Sequence, residues 1–96
     1  MGFVWDESKR ETNLAKHGLD FEDAWKVFEG PRLERLDCRQ DYGEDRWAAL
    51  GMIEGWVVFL AYTDRGEDIR VISLRRATPE ERRAYEKAIS NRHGPA

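Results

Sequence analysis

Ninety-six residues suffice for one domain with a single modest core, since a chain of this size buries only about 60–65% of its unfolded surface. A composition that is 41% hydrophobic, with four Trp, four Phe and three Tyr, is too aromatic for a disordered segment. No apolar run approaches about 18 residues and no basic N-terminal region precedes an apolar stretch, which argues against a membrane span and a signal peptide. The net charge of −3 is unevenly spread: residues 1–64 hold eight Lys/Arg against fourteen Asp/Glu, whereas residues 65–96 hold eight against five. The last third is therefore the basic part, and arginine outnumbers lysine twelve to four over the whole chain. Cys38 has no partner for an internal disulfide, which suits a reducing cytosol, and His17 and His93 are the only histidines, so no metal or other cofactor is expected.

In chain order, Asp6 is placed to cap a first helix over 7–17, with Gly18 just past its end. Lys9, Asn13, Lys16 and His17 follow i, i+4, i+7, i+8 and form a polar, basic stripe on that helix. Asp20 can cap a second helix to Glu29, with Phe21, Ala24, Trp25 and Phe28 at core-facing spacing and Gly30-Pro31 as the stop. Residues 32–37 read as an edge strand, and the polar stretch RQDYGED after them as a loop. The runs 46–53 and 56–63 flank Glu54-Gly55, a two-residue hairpin signal. The second run, WVVFLAYT, is apolar at both parities and so should be covered on both faces. A fourth strand follows over 68–74. Thr78-Pro79-Glu80-Glu81 then reads as a cap, an N1 proline and a capping-box glutamate ahead of a last helix with Tyr85, Ala88 and Ile89 inward. Residues 91–96 are expected to fray.

The expected fold class is thus α+β: a small single domain of order α-α-β-β-β-β-α, with an antiparallel four-stranded sheet and helices packed mainly on one face. Trp56, Val58, Leu60 and Tyr62 would then lack cover, and a partner chain is a natural candidate to supply it.

The segment SLRRATPEERR concentrates arginines around the last helix's start. Arg75 and Arg76 fall at the strand-to-helix junction, where backbone N–H groups and the helix dipole already favour an anion. Arg70 lies mid-strand among apolar residues, a costlier position. Arg82 and Arg83 read as solvated helix residues pairing locally with acids. His17 either stabilises a helix C-terminus as a cation or serves in proton transfer.

Three stretches together, FVWDESKRETNLAKHGLDFEDAWKVFEGP, DYGEDRWAALG and VVFLAYTDRGEDIRVISLRRATPEERRAYE, resemble the BrnT family of toxins from bacterial toxin–antitoxin pairs. The resemblance runs from Phe3 to about Tyr85 and rests on W-D-x-x-K-x-x-x-N-x-x-K-H-G, G-E-x-R and I-R-x-I-S-x-R-R-A-T in order. A toxin domain over 3–90 is expected on that basis. The resemblance implies a RelE-like fold, a cytoplasmic endoribonuclease that arrests growth, and a BrnA-like antitoxin with a ribbon-helix-helix part. It also implies that operator DNA is met only through the antitoxin, in operon autorepression. A homodimer or hetero-oligomer fits the uncovered sheet face.

A ribonuclease that uses no metal must activate the 2′-OH, stabilise charge on the phosphate and protonate the 5′ leaving oxygen. The residues expected to do so are Arg70, Arg75 and Arg76 on the phosphate with Lys9, His17 as acid or base, Glu44 as a second candidate base and Tyr85 as a weaker one. Asn13, Lys16 and Ser73 are expected RNA contacts. The rival readings are a non-catalytic module that binds only its antitoxin, and a nucleic-acid binder without catalysis, against which the net charge and the lack of a continuous basic stripe argue.

Overall fold

Helix α1 (Glu7–His17) begins and ends where its sequence signals lie: the Asp6 carboxylate accepts from the N–H groups of Ser8 and Lys9, and Gly18 closes the helix in the left-handed region at φ 71°. The computed structural model describes residues 2–37 and 43–92. Cys38, His93 and part of the expected RQDYGED loop lie outside them. Ahead of α1, β1 (Gly2–Val4) pairs in parallel with the last strand. The sheet is completed by β2 (Leu33–Asp37), β3 (Arg46–Ile53), β4 (Trp56–Asp64) and β5 (Asp68–Arg76), and helix α3 spans Pro79–Arg92. Strand order is β1-β5-β4-β3-β2, antiparallel except for β1 beside β5.

The expected four-stranded antiparallel sheet is therefore a five-stranded mixed one. Three residues are too few to display an alternating pattern, and β1 exists only because β5, 66 positions on, supplies its hydrogen-bond partners: Gly2 opposite Asp68, Val4 opposite Arg70. The hairpin falls where expected, with Glu54 at φ 49° and Gly55 at φ 83°, the two positive angles a tight β-turn of this kind requires.

The expected second helix is split. Phe21–Asp23 form a 3₁₀ turn capped by Asp20, and only Trp25–Glu29 are α-helical (α2). A 3₁₀ start has three residues per turn, which lines up Phe21, Ala24 and Val27 toward the core. Trp25, expected to face inward, is rotated out and 46% exposed. Val27 presses on β3 at Gly51, where an added Cβ would lie 2.7 Å from Val27 Cγ1. That close approach requires glycine.

The core fills the side carrying Ala49 and Ile53 of β3, Val58, Leu60 and Tyr62 of β4, and Ile69, Val71 and Leu74 of β5. The strip expected to lack cover is thus buried beneath the 3₁₀ turn and α2, Trp56 alone excepted at 52% exposed. Ile69, Val71 and Leu74 share this face although their parity does not match, because the β4–β5 register shifts at Ala61/Tyr62 and leaves Ile72 as an extra residue. Helix α3 lies across the other face, against β3 and β4. Helices thus sit on both faces, with α2 and α3 on opposite sides. The buried Tyr85 of α3 donates its hydroxyl to the Pro31 carbonyl at 2.9 Å. Helix α3 ends at Arg92, and residues 93–96 of the tail expected to fray lie outside the described ones.

Candidate functional site

β1 covers the outer edge of β5 only as far as Arg70, and α1 takes over beyond it. The join is made by Asn13. Its Nδ2 donates to the Leu74 carbonyl at 2.8 Å and to the Leu19 carbonyl at 3.1 Å, while its Oδ1 accepts from the Leu74 N–H at 3.2 Å. The buried side chain therefore completes the strand edge as a neighbouring backbone would. Asn13, expected as an RNA contact, has its whole amide committed to this anchor.

With Asn13 seated, the rest of the α1 stripe borders a shallow groove of about 300 Å³ against β5. Lys9, Lys16 and His17 line it together with Ser8, Thr12 and, from β5, Ile72 and Ser73. No carboxylate among the described residues is in the lining. Thr12 Oγ1 donates to the Ser8 carbonyl and Ser8 Oγ to Asp6, so both hydroxyl oxygens retain lone pairs toward the groove rather than protons. Lys9, Lys16, His17 and Ser73 make no side-chain hydrogen bond or ion pair with the described residues. The groove therefore gathers five of the expected site residues, Asn13 included, and all but Asn13 have side-chain donors uncommitted among the described residues. Ser8 and Thr12 belong to the same helical periodicity as Lys9 and Asn13 and were readable from it. Ile72 reaches the groove through the register shift in β5, for which the sequence carries no signal.

The three arginines do not converge. Arg75 and Arg76 lie within β5, which runs two residues past its expected end, and not in the junction. Strand alternation then sends them to opposite faces, opposite Phe59 and Val58 respectively. The Arg75 guanidinium stacks over the Phe59 ring at 4.2 Å and donates two hydrogen bonds to Glu81, at 2.8 and 3.0 Å. Glu81 also accepts from the Thr78 N–H at 2.9 Å, and Thr78 Oγ1 in turn accepts from the Glu81 N–H at 3.1 Å, the expected capping box. Arg75 holds the Glu81 carboxyl below its usual range, with the Thr78 N–H adding to the effect. Arg76 is exposed and lies over the Trp56 ring at 4.1 Å. Half-buried Arg70 pairs with Thr63 on the same face as Arg75. Neither Arg70 nor Arg76 has a side-chain hydrogen bond or ion pair among the described residues.

Glu44 meets Arg65 at 3.3 Å beside the β4–β5 turn and does not line the groove. Tyr85 is occupied by Pro31. On the α3 side of the sheet a larger depression, about 580 Å³, has Leu33, Ala48, Leu50, Phe59 and Ala84 among its lining. Among the described residues no three His, Cys, Asp or Glu side chains are grouped so as to hold a metal ion, and no helix is long and apolar enough to cross a membrane.

A comparison with curated proteins finds no match. A family model described as the ribonuclease toxin, BrnT, of type II toxin–antitoxin systems matches residues 5–81.

Proposed function

Because this chain belongs to the BrnT family of ribonuclease toxins from type II toxin–antitoxin systems, we propose that it is a metal-independent endoribonuclease whose site is the α1–β5 groove. The observation that carries this reading is the groove's composition: two lysines, a histidine and a serine whose side chains make no hydrogen bond or ion pair with the described residues, and no acid among the described residues of the lining. Such a surface suits a phosphodiester, since cations already in position stabilise charge that grows on the phosphate at little reorganisation cost. Lys9 and Lys16 hold the non-bridging oxygens, and Ser73 donates from the strand side. In the reaction the 2′-oxygen attacks the adjacent phosphorus and the bond to the 5′-oxygen breaks, leaving a 2′,3′-cyclic phosphate and a 5′-hydroxyl. His17 carries one of the two proton transfers this requires.

Arg70, on the sheet face it shares with Ser73 and without a side-chain partner among the described residues, is a further RNA contact in this reading. Arg75 serves α3 through Glu81 and Glu44 serves the loop through Arg65, so neither is needed for chemistry. The fold is taken as RelE-like and the toxin domain as residues 3–90. The chain acts in the cytoplasm, arrests growth, and is neutralised by a BrnA-like ribbon-helix-helix antitoxin, through which alone it takes part in autorepression at operator DNA.

The test is cleavage of a mixed RNA in EDTA by the purified chain and by Lys9→Ala, His17→Ala, Arg70→Ala and Arg75→Ala variants. Cutting should survive EDTA, fall by about 10²–10³ without Lys9 or His17, and fall less without Arg70. Arg75→Ala should lose stability before rate. A folded wild-type chain that cuts nothing would leave the non-catalytic antitoxin-binding module.

A further inference from the structure

Arg75 and Arg76 form a natural comparison. Each is an arginine of β5 stacked on an aromatic ring of β4, at 4.2 and 4.1 Å. In the first, the hydrogen-bonding edge of the guanidinium is filled by the Glu81 carboxylate through two parallel bonds, and the stack is partly buried. In the second, that edge has no acceptor among the described residues, and the indole beneath is 52% exposed. The Arg75 stack displays the complement its neighbour lacks: a planar oxyanion received in a fork.

We propose that Trp56 and Arg76 form a nucleotide subsite of this chain, in which the guanidinium edge receives a backbone phosphate and the indole and guanidinium planes stack a base of single-stranded RNA. The proposal rests on the ribonuclease reading and names where the substrate strand runs beyond the groove. Ser73 lines the groove, and Arg76 is three residues further along the same strand, about 10 Å at 3.3–3.4 Å per residue. That separation lies within the span of neighbouring nucleotides. Arg76 also shares the sheet face with Val58, the side covered by the 3₁₀ turn, which α1 flanks through the Arg10–Asp20 ion pair. By register Ser73 shares its sheet face with Arg75 and Arg76 lies on the other, so a strand leaving the groove crosses the β5 edge to reach the stack. A carboxylate from a protein partner would satisfy the guanidinium edge and leave the indole unused. A nucleotide brings an oxyanion and a flat ring together, which is what the pair offers.

The experiment uses the full chain and an uncleavable 2′-O-methyl oligoribonucleotide carrying the fluorescent base 2-aminopurine at each position in turn. Wild type should quench the probe at one preferred position. Trp56→Ala should abolish that quenching and weaken binding about 5- to 100-fold, the range found for loss of one base–aromatic stack. Trp56→Phe should retain both in large part. Arg76→Ala should weaken binding, with Arg76→Lys intermediate because it keeps the charge and loses the fork. Both residues are exposed at the surface, and circular dichroism verifies that each variant is folded. Unchanged affinity and quenching in Trp56→Ala and Arg76→Ala, with wild type still binding and cutting, would overturn the subsite and leave the ribonuclease reading intact. The same unchanged RNA binding with loss of antitoxin binding would overturn it in favour of a protein contact. A wild-type chain that neither binds nor cuts would remove both.

Discussion

Glu81 has three partners at once: the Thr78 N–H and both nitrogens of the Arg75 fork. Charge-assisted bonds to a cation and an N-cap N–H all favour the ionised carboxylate, so its pKa lies below the ordinary glutamate value in the folded chain. Between the folded and unfolded values the unfolded chain binds more protons. The contribution is therefore fully present above the ordinary glutamate value and is lost as pH falls through the depressed one. Comparing urea denaturation of wild type and Glu81→Gln over an acid pH series should show the largest gap at neutral pH, closing on the acid side. A gap that does not change with pH would mean the pair acts through packing alone. The exposed Arg76, without such a partner, should show no comparable link to stability.

At the scale of elements, the placement of α1 decides whether the groove exists. Little of α1 is apolar: Leu14 is 39% exposed and the one buried side chain of the helix is Asn13. The helix is held by an amide on a strand edge and by the Arg10–Asp20 ion pair, at 2.8 Å, rather than by a greasy stripe. Asn13→Ala would leave the Leu74 N–H and carbonyl and the Leu19 carbonyl without this partner, at a cost of about 1–3 kcal/mol for buried groups left unsatisfied. Urea unfolding should register that loss, and RNA cleavage should fall with it because Lys9, Lys16 and His17 depend on the same helix. A variant of wild-type stability would show that water replaces the amide and that α1 is held by other contacts. The capping box of α3, the hairpin and the ends of α1 were legible in the sequence because each is made of neighbours within four residues. The 3₁₀ start of α2, the bulge at Ile72 and β1 were not, because each answers to a partner far along the chain.

For the whole molecule, net charge conceals the site. With −3 overall, the chain has no general affinity for a polyanion, and any RNA binding must come from a few local cations. If the groove and the Arg76 stack together neutralise about three phosphates, log affinity for single-stranded RNA should fall with log salt at a slope of about −2. Lys9→Ala and Lys16→Ala should each make that slope shallower by about 0.7. A slope near zero would indicate that binding is not carried by phosphate contacts at these residues. The division by sequence segment placed the basic part in the last third, yet the groove's lysines and histidine come from the acidic first part.

Short-range pattern in the chain specified an α+β domain, four of its five strands, the capped first and last helices, the stripe of Lys9, Asn13, Lys16 and His17, and membership of a toxin family through motifs in order. Which of those residues meet was settled by long-range packing. Alternation along β5 separated Arg75 from Arg76, a register shift brought Ile72 beside α1, and Glu81 closed one guanidinium while the other stayed open. The reason is physical. Local hydrogen bonds and periodicity are set by adjacent residues, whereas the destination of a charged side chain depends on which distant strand or helix offers it a partner.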